Sequence, residues 1–120
     1  MKLLLSLIRT RPGGIFAGWL IAHFSFVLPF HRLYESDRVL AFHHPSPTYG
    51  LHILILPKMR IAGPEALGGQ HAALLAEIWQ AAQTLARQHA PDAEPRLIAN
   101  GGAYQDVKLL HFHLISGPEI

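Results

Sequence analysis

The chain has 120 residues, 50% of them hydrophobic, with 15% charged and a formal net charge of +2. That composition suits one domain and argues against the clustered Lys and Arg of a nucleic-acid surface. There is no cysteine, which excludes disulfides, thiolate catalysis and zinc-finger sites and agrees with a reducing, cytoplasmic setting. Nine histidines are the outlier.

Residues 1–14 form a basic and apolar extension carrying Lys2, Arg9 and Arg11, and a single domain is expected over 15–120. The following run "GGIFAGWLIAHFSFVLPF" predicts an N-terminal helix packed on the domain. It falls short of the roughly 18 to 20 clean apolar residues of a spanning helix, is interrupted by His23 and Ser25, and precedes no small-x-small cleavage site. Membrane association through residues 1–30 stands as the alternative.

"RLYESDRVLAFHH" reads as two strands around a turn at Ser36 and Asp37, and "PSPTYG" breaks the chain. "LHILILPK" is a near-continuous apolar run suited to a central strand buried on both faces, interrupted only by His52. From Pro64 to His89 the period becomes helical, with Leu74, Leu75, Ile78, Ala82, Leu85 and Ala86 on one stripe. Trp79 and Trp19 read as core or interface anchors, and Lys58 and Arg60 as solvated strand ends. "RLIANGG" resumes strand character before a glycine turn, and "DVKLLHFHLIS" supplies the final strand. The class is α+β, an antiparallel sheet with one long amphipathic helix and an N-terminal helix.

Strand alternation places Leu109, His111, His113 and Ile115 on one side and Leu110, Phe112 and Leu114 on the other, with the two histidine Cα atoms roughly 6.5 to 7 Å apart. A same-face histidine pair, a third His in another apolar strand and an Asn-bearing glycine turn are more than core packing asks for. A neutral imidazole is a competent nucleophile, and His113, the Asn100 amide and the backbone N–H groups of "NGGAYQ" are hydrogen-bond donors for an anionic substrate. His52 completes a polar wall, and if protonated it would assist a leaving group. A metal site built from His43, His44, His52, His111 and His113 is the competing reading.

"NGGAYQDVKLLHFHLIS" resembles the signature of the histidine triad (HIT) superfamily, and "LYESDRVLAFHHPSPTYGLHILILPK" resembles the preceding part of its nucleotide-binding (Hint) branch. The resemblance spans residues 28 to 117. It implies the HIT α+β fold, a homodimer, and a hydrolase or transferase acting on nucleotides such as phosphoramidates or dinucleoside polyphosphates, with no metal or other cofactor. By position it implies His111 as nucleophile, with His113 and His52 as the other catalytic histidines. Asn100 falls where a phosphate-contacting Asn stands, Gln105 matches the substrate-side Gln just before the final strand, and His44 and Pro45 fall beside the nucleoside. Leu109 replaces the first His of the triad, a position thought to act through its backbone carbonyl. His44 replaces a ribose-contacting acid, and Asp106 a hydroxyl at the substrate. A nucleotide-binding or dimeric adaptor that has lost its chemistry is the alternative these departures leave open.

Overall fold

The computed structural model describes residues 31–120; the predicted N-terminal helix, Trp19, the basic extension and its neighbouring run all lie outside them. Strands β1 (Arg32–Glu35), β2 (Val39–His43), β3 (Tyr49–Pro57), β4 (Arg96–Ala99) and β5 (Phe112–Glu119) form one sheet in the order β1-β2-β3-β5-β4. Every neighbouring pair is antiparallel. The tight β1–β2 connection follows from Ser36, whose Oγ accepts from the backbone N–H groups of Arg38 and Val39.

One helix, α1 (Ala72–His89), covers one face of the sheet. Its buried residues, Leu74, Ile78, Ala81, Ala82, Leu85 and Ala86, recur at three- and four-residue steps. Leu75 is half-buried and Trp79 is 56% exposed, so Trp79 is not a core residue among the described residues. The helix begins later than its hydrophobic period suggested. Pro64 starts a short 3-10 turn (Pro64–Ala66), and Gly68 and Gly69 lead a second (Gly69–His71) before regular α geometry begins. Glu77 then ties the helix to the β1–β2 turn. It accepts from Tyr34 Oη at 2.7 Å and from Ser36 Oγ, and it pairs with Arg38 at 3.3 Å. These partners hold its carboxyl below the ordinary range, the Ser36 hydrogen bond contributing most.

Pairing across the sheet sorts the side chains. Val39, Ala41, Leu51, Ile53, Ile55 and Leu114 join the helix in the main core, with Phe112 packed against it. The opposite face carries Leu40, Phe42, Leu54 and Leu56, together with Leu109 and Val107 from the segment before β5. His52 and His113 share that second face, because His52 lies opposite Ile115 and His113 opposite Leu54.

The final strand starts at Phe112 and not at Asp106 as its composition suggested. The last β3 and β4 partners of β5 are Ile55 and Ala99, both opposite Phe112. Two steps beyond Ile55, Pro57 has no N–H to continue the ladder. Residues 107–111 keep the predicted alternation without strand pairing. Leu110 points into the main core and donates its N–H to the Ile61 carbonyl at 2.7 Å, while Leu109 packs into the second cluster.

Leu109 is 6% exposed and Leu110 is completely buried, so truncating either leaves a cavity. Urea denaturation should show Leu109→Ala destabilised by about 2 to 4 kcal/mol and Leu110→Ala by about 2 to 5 kcal/mol. A cost for Leu109→Ala near zero would mean that its cluster collapses to refill the space.

Candidate active site

His111 stands just before β5, half-buried, with its Nδ1 2.7 Å from the Leu109 carbonyl oxygen. A carbonyl only accepts, so Nδ1 carries the proton and Nε2 is left with its lone pair. The backbone carbonyl of position 109 is thus the hydrogen-bond partner of His111, with a leucine supplying it.

A second chain of bonds fixes the other histidines. The backbone N–H of Thr48 donates to His52 Nδ1 at 3.1 Å, so in neutral His52 the proton sits on Nε2. His52 Nε2 is 2.9 Å from His113 Nδ1 and donates to it. His113 must then carry its own proton on Nε2. The three imidazoles thus offer one basic nitrogen, on His111, beside a ring whose N–H donor is oriented from the backbone. The His111 and His113 ring centroids are 5.0 Å apart.

Both inner rings resist protonation. Burial depresses His52, and His113 is lowered to about 4, first by burial and then by the neighbouring His111, His52 and His44. The sequence suggested that a protonated His52 would assist a leaving group. In this structure a second proton on His52 would point an N–H at the Thr48 N–H, so the neutral ring is the stable one.

The other expected residues divide. His44 lies beside His52, with the rings tilted by 32° and their centroids 4.3 Å apart, and its Nδ1 accepts from the Ser46 N–H across Pro45. Asn100 follows β4 one step beyond the Ala99–Phe112 pair, which puts its backbone alongside His111. Asp106 is exposed, and its charge partly offsets the depression of His113, placing the carboxylate within electrostatic reach of that ring. Gln105 departs from expectation. Its side chain is 5% exposed and donates through Nε2 to the Ala62 carbonyl at 2.7 Å, so it anchors the loop from below. A Cβ on Gly63 would lie 2.8 Å from the Gln105 amide oxygen and 2.5 Å from a Glu65 oxygen, so a side chain there would have to displace the ends of those two side chains. Sequence reasoning missed Thr48 and Ile61. Both act through backbone groups that any residue could supply, so no sequence signal marks them. A cleft of about 350 Å³ lined by Arg38, Lys58, Met59 and His71 lies beyond the other end of β3 and includes none of the site histidines. Lys58 there is paired with Glu35 at 2.7 Å.

The depressed His113 makes stability depend on pH with a defined sign. Below the unfolded value of about 6.5 the unfolded chain takes up a proton that the folded site refuses until about pH 4. Its contribution to stability is therefore intact above pH 6.5 and is lost as pH falls from 6.5 to 4, by up to about 3 kcal/mol at 1.36 kcal/mol for each pH step. Histidine NMR titration checks this directly: His113 should hold its neutral shifts at pH 5, and a midpoint near 6.5 would contradict the buried relay.

Comparison with known proteins follows the same geometry. The model of the HIT domain family matches residues 25–120. A 14 kDa zinc-binding protein of Brassica juncea is 33% identical over 97 residues, covering 78% of this chain and 86% of the relative. Adenylylsulfatase HINT1 of Arabidopsis thaliana is 31% identical over 97 residues, covering 78% of this chain and 66% of the relative. A HIT family hydrolase from Clostridium thermocellum superposes with a TM-score of 0.73 at 34% identity, covering 86% of this chain and 89% of that one. With the five-stranded antiparallel sheet, the covering helix and the histidine-bearing strand in place, the chain belongs to the HIT domain family.

Proposed function

We propose that the protein is a nucleotide hydrolase or nucleotidyl transferase that attacks an α-phosphate through His111. The observation that carries this reading is the bond from His111 Nδ1 to the Leu109 carbonyl, which leaves Nε2 as a lone-pair nucleophile beside the N–H of His113. The names of the relatives point the same way: one is called an adenylylsulfatase and one structural neighbour a hydrolase.

In the proposed first step His111 Nε2 forms an N–P bond while the bond from phosphorus to the leaving group breaks and the leaving group takes its electron pair. Positive charge develops on the ring, and the Leu109 carbonyl stabilises it through the Nδ1 proton. His113 Nε2–H donates to a phosphoryl oxygen, supported by the Asn100 amide and by backbone N–H groups of the loop. Water then attacks the same phosphorus and gives up a proton to solvent, the N–P bond breaks, and His111 Nε2 regains its lone pair; an amine leaving group takes its proton from solvent in the first step, and an alcohol or phosphate in place of water gives transfer. His52 acts through His113 as a positioning residue. His44 and Pro45 border the nucleoside side, and a symmetric homodimer is the proposed assembly. Phosphoramidates and dinucleoside polyphosphates are the proposed substrates.

The Brassica relative is named as zinc-binding; in this chain His52 Nε2 and His113 Nδ1 face each other at 2.9 Å, and among the described residues no group of three or more His, Cys, Asp or Glu is arranged to hold a metal.

Two measurements test the proposal. Enzyme mixed with a nucleotide labelled at the α-phosphate and quenched rapidly in alkaline denaturant should carry label on His111, and His111→Ala should lose adduct and turnover by at least about a thousandfold, about 4 kcal/mol of barrier. Turnover without an adduct, or nucleotide binding without turnover, would contradict the covalent role; the second outcome is that of a non-catalytic nucleotide-binding adaptor. Asp106→Ser should tighten nucleoside monophosphate binding about threefold to tenfold by removing a like charge near the phosphate. Unchanged affinity together with an unchanged His113 titration would place Asp106 outside the site.

A further inference from the structure

The hydrogen-bonded chain through His52 and His113 begins on an exposed bend. Thr48 is exposed and follows Pro47, and its N–H is the donor to His52 Nδ1 at 3.1 Å. The turn between β2 and β3 is closed at its other end by the His44 N–H, which donates to the His52 carbonyl at 2.9 Å. At the Thr48 end the support comes from β5 and the residue after it: the Ile120 N–H donates to the Thr48 carbonyl at 2.8 Å. Thr48 is thus gripped at its carbonyl while its N–H is turned to His52.

A bulge brings Ile120 there. Leu51 lies opposite Ser116 and Tyr49 opposite Glu119, so three steps of β5 face two of β3. The extra residue falls at Gly117 and Pro118, the first with φ +84 and the second without an N–H for the ladder. Glycine enters that left-handed region without steric cost, whereas a side chain is strained there. Space is not the constraint, because outside its chain neighbours the nearest atom to a Cβ on Gly117 would be the Gly50 nitrogen, 4.0 Å away. A side chain at 117 would therefore act through the backbone conformation alone.

The outer nitrogen of His113 depends on this support. With the Thr48 N–H on His52 Nδ1, His52 donates from Nε2 and His113 keeps its proton on the outer Nε2. With that donor withdrawn the reversed pair is bonded equally well: His52 carries its proton on Nδ1, His113 donates from Nδ1 to His52 Nε2, and the outer nitrogen of His113 becomes a lone pair. One backbone N–H selects between a donor and an acceptor.

We infer that Gly117 is a positioning residue for the histidine pair: its left-handed backbone lets Ile120 hold Thr48, and the Thr48 N–H so placed keeps the outer nitrogen of His113 a donor. Its consequence for turnover rests on the nucleotide reading of the site, whereas the proton placement is measured without substrate. Ring nitrogen-15 NMR of the wild type, Gly117→Ala, Gly117→Asn and Ile120→Pro, with turnover of a nucleoside phosphoramidate alongside, tests it. Ile120→Pro removes the single N–H donor from a residue that is 77% exposed, so it decides the matter even where Gly117→Ala fails to fold. In Gly117→Ala and Ile120→Pro a share of His113 should be protonated at Nδ1, and kcat/KM should fall about threefold to tenfold, the scale of one lost hydrogen bond. Asparagine tolerates positive φ, so Gly117→Asn should restore most of both. His113 protonated at Nε2 alone in every variant would overturn the inference, whatever their melting temperatures. Redistributed protons in a protein whose wild type turns over no nucleotide would uphold the inference and overturn the nucleotide reading.

Discussion

The position of a single proton on His111 governs what the histidine face can do. Nδ1 faces the Leu109 carbonyl at 2.7 Å, and an acceptor at that distance fixes the tautomer, the ring plane and the outward direction of Nε2 together. The second ring is set by the same logic from the opposite side. The Thr48 N–H orders His52 and His52 orders His113, so a backbone donor determines that the outer nitrogen of His113 is a donor too. A base and a donor side by side suit a centre where negative oxygens surround an electrophile. Burial keeps the relay neutral, because charging either inner ring would place a cation in a partly dry site and break a hydrogen bond.

The rest of the fold holds that carbonyl still. Leu109 and Leu110 are driven in opposite directions, one into the Leu40, Phe42 and Leu56 cluster and the other into the core beneath the helix. The Leu110 N–H is tied to Ile61 and the Gln105 side chain to Ala62, so two adjacent backbone carbonyls before Gly63 clamp both ends of the segment that enters the site. Packing on two sides and hydrogen bonds to one short stretch leave the segment little freedom to rotate the carbonyl away. The helix contributes at a distance. It closes the other face of the sheet, and through Glu77 it fixes the β1–β2 turn from which β2 departs toward His44.

Much of this was legible in the sequence because hydrophobic periodicity is a direct record of burial. The β1–β2 hairpin, the apolar β3, the helical stripe and the opposite facing of Leu109 and Leu110 follow from alternation alone, and the "HFH" spacing placed two imidazoles together. Boundaries were less legible. The helix begins at Ala72 because local glycine and proline geometry overrides an amphipathic period, and β5 begins at Phe112 because its neighbours run out of partners. The interior role of Gln105 and the parts played by Thr48 and Ile61 depend on long-range backbone contacts, which leave no residue-type signal. Trp79, read from sequence as a core or interface anchor, lies off the buried stripe and is 56% exposed among the described residues, which removes the core half of that reading.

Nitrogen-15 NMR of the imidazole rings tests the proton placement most directly, with long-range couplings separating the two neutral tautomers of each histidine. At neutral pH His111 should be protonated at Nδ1 with a free Nε2, while His52 and His113 should both be protonated at Nε2. His111 protonated at Nε2, or His113 at Nδ1, would leave the site without the lone pair or without the donor that the proposed mechanism needs and would contradict that proposal.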